Sequence, residues 1–168
     1  MKMSNLKVGE KPQIFVLVGL PASGKSTWTA NKLKNSPYSF SIISSDDKIE
    51  SYAKAQGKTY SEVFQDYAAT AQQEIWQDFK KAIKAEKNII WDQTNMTIKK
   101  RKSILSQLPN GYVKTAVVFK INDDELVRRL NSRAEKEGKH IPEHVIKSMT
   151  KSYQEPTENE GFDNVIFV

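Results

Sequence analysis

Residues 13–27 read Q-I-F-V-L-V-G-L-P-A-S-G-K-S-T, and this stretch decides the fold. The apolar run from Ile14 to Val18 has the character of a buried strand and feeds directly into Gly19. Gly24, Lys25 and Ser26 then complete G-x-x-x-x-G-K-S, so the pattern is strand, phosphate-binding loop, helix start. A chain that folds round a triphosphate must point successive backbone N–H groups inward. Glycine permits the positive φ and the close approach this requires, and Gly19 and Gly24 supply that freedom. A helix beginning near Lys25 adds unpaired N–H groups and the positive end of its dipole. The competing reading, an ordinary glycine turn before a helix, does not call for Lys25 and Ser26 at this spacing.

Working outward, 168 residues hold one packed core, and we expect a single domain over residues 13–168 with residues 1–12 as a loosely held, flexible arm. Hydrophobic residues at 38% and charged residues at 27% give the balance of a globular protein. No apolar run approaches the roughly 20 residues of a membrane span, so no membrane partner is expected. The chain has no cysteine, which excludes disulfides, thiolate nucleophiles and zinc–thiolate sites and fits a reducing, cytoplasmic setting. A net charge of +6 favours a polyanionic partner, although lysine-rich surfaces are also simply well solvated.

After the loop, a helix is expected from Ser26 to Lys34, broken at Asn35-Ser36-Pro37. Tyr38 to Ser44 reads as a second strand ending at Ser45-Asp46-Asp47. Carboxylates at the carboxyl end of a strand lie where open α/β sheets bind ligands, so Asp46 or Asp47 can accept a proton from a substrate hydroxyl. Either can equally cap the next helix, Lys48 to Ala55. Ser61 to Lys87 repeats apolar residues at three- and four-residue intervals; Phe64 and Trp76 within it read as core or helix–helix contact rather than as a base-stacking platform. The strand Asn88 to Trp91 is followed by D-Q-T-N, which places Asp92, Thr94 and Asn95 on the same edge as the loop if the sheet is parallel. Those residues also suit a turn and a cap for a helix from Ile98 to Leu108.

Tyr112 to Ile121 is the next strand, and Asn122 or Asp123 can cap a helix from Asp124 to about Lys136. Arg129 and Arg133, four apart, share one face of it; they can grip a phosphoryl group or pair with Glu125, Glu135 and Glu137. Gly138 and Pro142 end that helix, so residues 124–142 have the make-up of a closing lid, and a further helix runs from Glu143 to Tyr153. His140 and His144 have no metal-binding company and read as surface residues. An acidic loop and a short apolar strand close the chain. The alternation of strands and helices predicts an α/β fold: a parallel sheet with helices on both faces and a helical lid.

Taken together, G-L-P-A-S-G-K-S-T-W, S-D-D at 45–47, D-Q-T-N at 92–95, E-L-V-R-R-L-N-S-R at 125–133 and the tail Y-Q-E-P-T-E-N-E-G-F-D resemble the polynucleotide 5′-hydroxyl kinase family, in particular its phage-type kinase domain. The resemblance implies the three-layer P-loop kinase fold and transfer of the ATP γ-phosphate to the 5′-OH end of DNA or RNA. It implies that Gly19, Ala22, Ser23, Gly24, Lys25, Ser26 and Thr27 hold the nucleotide, with Arg129, and that Ser26 ligates Mg²⁺. Asp46 takes the place of the general base, Lys25 and Arg133 act on the transferring phosphoryl group, and Asp47, Asp92, Thr94 and Asn95 are expected around the acceptor. It further implies a nucleic-acid end-repair role in the cytoplasm, that of the host cell if the protein is phage-encoded. Two departures stand out. Where the family often has an arginine contacting the acceptor phosphate, this chain has Ile49, and Lys48 or Lys54 is the expected substitute. Many relatives also carry a phosphatase or ligase domain, and no 3′-phosphatase activity is expected of these residues. Two alternatives stay open: a P-loop kinase for a nucleoside, modified base or other small hydroxyl acceptor, and a non-catalytic nucleotide-binding module.

Overall fold

The computed structural model describes residues 1–3 and 5–168; Ser4, inside the predicted arm, lies outside them. Among the described residues five parallel strands form one sheet in the order β2-β3-β1-β4-β5: β1 (Gln13–Val18), β2 (Phe40–Ile43), β3 (Asn88–Trp91), β4 (Val113–Val118) and β5 (Asn164–Phe167). Among the described residues six α-helices connect and cover them: α1 (Lys25–Asn35), α2 (Ser45–Ala55), α3 (Tyr60–Lys84), α4 (Ile98–Leu105), α5 (Asp123–Glu137) and α6 (Glu143–Ser152). The expected architecture is therefore present.

The two-residue period of β1 explains the layers. Ile14, Val16 and Val18 face one way into a core with Ile75 and Phe79 of α3 and Ile104 of α4. Phe15 and Leu17 face the other way, against Trp28 and Leu33 of α1. The central strands β1 and β3 are apolar on both faces, as parallel strands covered by helices must be. Trp91 is fully buried, with its ring 4.8 Å from Phe79 in an edge-to-face pair. At the arm, Met3 makes an isolated parallel bridge to Tyr38.

Several boundaries differ from expectation because local capping decides them. Helix α2 begins at Ser45, and its cap is the Ser44 hydroxyl, which accepts from the Asp47 N–H at 3.2 Å. Neither Asp46 nor Asp47 caps it; both lie in its first turn. Thr59 and Glu62 form a reciprocal capping box that starts α3. Thr97 rather than the D-Q-T-N residues caps α4, and Asn122 caps α5. Gly138 ends α5 at φ 62, and a Cβ there would lie 2.7 Å from Thr59 Cγ2, so only glycine fits this junction.

Arg101 on α4 is wholly buried, and its Nη2 donates to Glu160 Oε1 at 2.6 Å. The same guanidinium donates to the carbonyls of Asn95 at 2.9 Å and Gln154 at 2.8 Å. A single side chain thus ties the C-terminal segment to the loop that follows β3.

Candidate active site

The carboxyl ends of β1, β2 and β3 open into a cleft of about 1380 Å³. Its floor is the phosphate-binding loop. Gly24 holds φ 111 and Ala22 takes the left-handed φ 63, so the loop's positive φ values fall on Ala22 and Gly24, not on Gly19. Gly19 serves close approach instead: a Cβ there would meet Ser23 Oγ at 2.7 Å and Phe119 Cβ at 3.0 Å. Ser23 Oγ is buried without a hydrogen-bond partner among the described residues. Helix α1 starts with no side-chain cap and no acidic residue in its first turn, so its first N–H groups and positive dipole end face the cleft. These features fit a phosphate chain. Lys25 Nζ donates to the carbonyls of Gly19 at 2.8 Å and Leu20 at 2.7 Å, folded back over its own loop. Burial pulls its ammonium down to about 8, while Asp92 and Asp46 push the other way. Ser26 and Thr27 are exposed at the helix start.

The loop after β3 is fixed to the floor and to α2. Thr94 carbonyl oxygen accepts from Gly19 N–H at 3.0 Å, and Gln93 Nε2 donates to Ser45 Oγ at 2.9 Å. This leaves Asp92 and Thr94 lining the cleft. Asn95 is only 2% exposed, with φ 48, and its Nδ2 donates to the Leu17 carbonyl at 2.7 Å. It clasps the end of β1 instead of reaching the cleft, whose lining does not include it. Burial pushes the Asp92 carboxyl up to about 6, Asp47 and Asp46 adding to the rise and Lys25 opposing it. A carboxyl whose folded pKa is raised favours the unfolded state once pH climbs above its ordinary value, and fully so above about 6. Asp92→Asn is therefore expected to raise the Tm at about pH 8 and change it little near pH 4, a difference on the order of 2 kcal/mol after allowing for solvent access, read by melting across the pH range.

Asp46, Asp47 and Glu50 from α2 form the opposite wall. Asp46 Oδ1 accepts from the Tyr60 hydroxyl at 2.7 Å, and Oδ2 accepts from Lys139 Nζ at 3.3 Å. Burial, then the charge and hydrogen bond of Asp46, raise the Tyr60 phenol and keep it a donor. Desolvation also raises Asp47, with Glu50 and Asp46 beside it. From above, Arg129 and Arg133 of α5 complete the cleft. Arg129 Nη1 donates to the Ala22 carbonyl at 3.1 Å and its Nε to Glu125 at 2.7 Å; Arg133 Nε stands 3.6 Å from Glu137. Arg129 thus pairs with Glu125, one of the partners its spacing offers, while its other end reaches the loop carbonyl. His140, read from sequence as a surface residue, is exposed but on the cleft lining.

Four residues, Ile49, Lys48, Lys54 and Phe64, read differently once the chain is folded. Ile49 is 2% exposed in the packing between α2 and α3, so its side chain faces away from the cleft. Lys48 pairs with Asp78 at 2.7 Å and Glu74 at 3.7 Å, and neither Lys48 nor Lys54 lines the cleft. Phe64, expected in the core or a helix–helix contact, is 45% exposed and lines the cleft beside Tyr60, at a ring separation of 5.6 Å. Trp76 packs against the core as expected. Among the described residues no cluster of three His, Cys, Asp or Glu could hold a metal by itself, so a cation here would have to share its ligands with a bound phosphate. No described helix is long and apolar enough to cross a membrane.

Residues 14–156 match the family model described as an AAA domain. The chain is 31% identical over 163 residues to the bifunctional polynucleotide phosphatase/kinase of Schizosaccharomyces pombe, covering 96% of this chain and 34% of that protein. Its fold is similar to that of a protein from Chloroflexus aurantiacus (TM-score 0.69, 15% identity, 95% of this chain and 86% of that one). A chain of the Pnkp1/Rnl/Hen1 RNA repair complex is also similar (TM-score 0.66, 22% identity, 86% of this chain and 45% of that one). The chain spans between 22% and 34% of the length of the curated relatives it matches. With residues 14–156 matched, the chain belongs to the AAA domain family.

Proposed function

We propose that this domain transfers the γ-phosphate of ATP to the 5′-hydroxyl of a DNA or RNA end. The observation that carries the reading is that Asp46 shares one cleft with Lys25 and the loop, while Arg129 and Arg133 close over the same space. Asp46 accepts the hydroxyl proton as the acceptor oxygen forms its bond to the γ-phosphorus and the bond to the bridging oxygen breaks, leaving ADP. Lys25, the loop amides and Arg133 take up charge on the equatorial and leaving oxygens. Asp92, Thr94 and Asp47 hold the acceptor sugar side. The Ser26 hydroxyl would hold Mg²⁺ jointly with the phosphates, and bound Mg²⁺ supplies further charge neutralisation. The likeness to a polynucleotide phosphatase/kinase supports the nucleic-acid acceptor.

Lys25→Ala and Arg133→Ala are each expected to slow transfer at least about 10²-fold, or about 2.7 kcal/mol of barrier, the cost of removing one preorganised charge donor. Single-turnover transfer of labelled phosphate checks both.

A second reading, a small hydroxyl acceptor, is favoured by one feature: α2 presents acidic Asp46, Asp47 and Glu50 to the cleft, with Ile49 buried and Lys48 turned to α3. Labelled γ-phosphate offered to 5′-hydroxyl oligonucleotides of DNA and RNA beside a nucleoside panel separates the two. Labelled oligonucleotide with unlabelled nucleosides supports the polynucleotide reading; the reverse overturns it. ATP binding without transfer to any acceptor would leave a nucleotide-binding module.

A further inference from the structure

Lys139 was not singled out in the sequence, yet it is the most enclosed cation in the cleft wall, only 4% exposed. Its ammonium is 3.3 Å from Asp46 Oδ2 and 2.8 Å from Glu50 Oε1, and it lies 4.5 Å from the centre of the Tyr60 ring. The backbone around it is held as firmly. Lys139 N–H donates to the Arg133 carbonyl at 3.4 Å, Ser61 N–H to the Gly138 carbonyl at 3.4 Å, and His140 N–H to Ser61 Oγ at 2.9 Å. One ammonium therefore joins the end of the arginine helix, the start of α3 and the first turns of α2.

We propose that Lys139 is a positioning residue for Asp46: together with the Tyr60 hydroxyl it fixes the rotamer that turns the carboxylate toward the cleft. This rests on the assignment of Asp46 as proton acceptor. A carboxylate on the first turn of a helix, with half its side chain in water (53% exposed), has several rotamers open to it. Holding both oxygens, one by a phenol and one by a desolvated ammonium, removes that freedom before the acceptor arrives. A misplacement of about 1 Å at a reacting group costs roughly 10²-fold, so the effect of losing the anchor is large enough to measure. The substitution Lys139→Met is suited to the test, because it removes the buried charge itself. The carboxylates left behind, Asp46 and Glu50, remain about half exposed and can hydrate.

The experiment is a cycle of four proteins: the parent, Lys139→Met, Asp46→Asn and the double variant, each assayed for labelled γ-phosphate transfer to the best acceptor in the panel, with ATP binding and Tm measured alongside. The expected result is a kcat lowered roughly tenfold to 10²-fold in Lys139→Met, with ATP affinity and Tm close to the parent, partial recovery in Lys139→Arg, and no additional loss when Lys139→Met is added to Asp46→Asn. A kcat for Lys139→Met within about twofold of the parent overturns the proposal, as does a loss that adds fully to that of Asp46→Asn or that tracks falling Tm and ATP affinity. Near-parent transfer by Asp46→Asn instead refutes the proton-acceptor assignment beneath it, and the two failures are told apart in the same data.

Discussion

Asp46→Asn is expected to abolish most phosphoryl transfer while leaving ATP binding in place. The substitution keeps the size of the side chain and an oxygen able to accept from the Tyr60 hydroxyl, which lies 2.7 Å away. What it removes is the capacity to take up a proton as the acceptor oxygen attacks. A positioned general base contributes about 10²- to 10⁴-fold, and that is the predicted loss in single-turnover transfer. In the proposed reading ATP is held by the loop and α1, to which Asp46 contributes no hydrogen bond, so a nucleotide titration of the variant should match the parent. Near-parent turnover with the best acceptor would place the proton elsewhere, with Asp47, Glu50, Asp92 and Glu137 as the other carboxylates lining the same cleft.

The second large effect concerns stability. Glu160→Ala is expected to cost about 3–5 kcal/mol in urea unfolding, because it leaves the Arg101 guanidinium uncompensated in the core. Arg101 is 0% exposed at its side chain and Glu160 3%, so water cannot replace the lost partner without opening the structure. Replacing both by apolar residues should cost less than the single change, since no charge is then stranded, although the carbonyls of Asn95 and Gln154 lose their donor. Because Arg101 supports Asn95, whose side chain clasps the end of β1, partial loosening should reach Asp92 and Thr94 before the whole domain unfolds.

Most of the fold was legible because its cues are local. The apolar run of β1, the Asn88 to Trp91 strand and the spacing of Val63, Ala71, Ile75 and Phe79 report burial directly through their periods. The loop was legible for the same reason: a few adjacent residues carry all of its chemistry. What escaped are the contacts between distant segments. Arg101 sits in I-K-K-R-K-S-I-L, within the helix expected from Ile98, and only the fold brings Glu160, 59 residues on, into its reach. Lys139 follows a helix-ending glycine in a stretch that reads as surface, and its partner Asp46 is 93 residues away. Phe64 carries the apolar signal of a core residue, and nothing nearby says that α3 begins at the mouth of a cleft. Asn95 shows the reverse: its place at a strand end suggested ligand contact, and a backbone carbonyl took its side chain instead.

The order of strands in the sheet also bears on how the chain is made. The central strand is the first to leave the ribosome, yet its neighbours come late: Gln13 meets Asn88, 75 residues on, and the other flank waits for β4. Until then Ile14 to Val18 have no partner edge, and parallel pairings of such long separation form slowly and expose sticky surface meanwhile. The nascent protein therefore passes through a long interval in which its most apolar segment is its least protected, and yield during synthesis should depend on temperature and on chaperone supply more than the finished domain's stability would indicate.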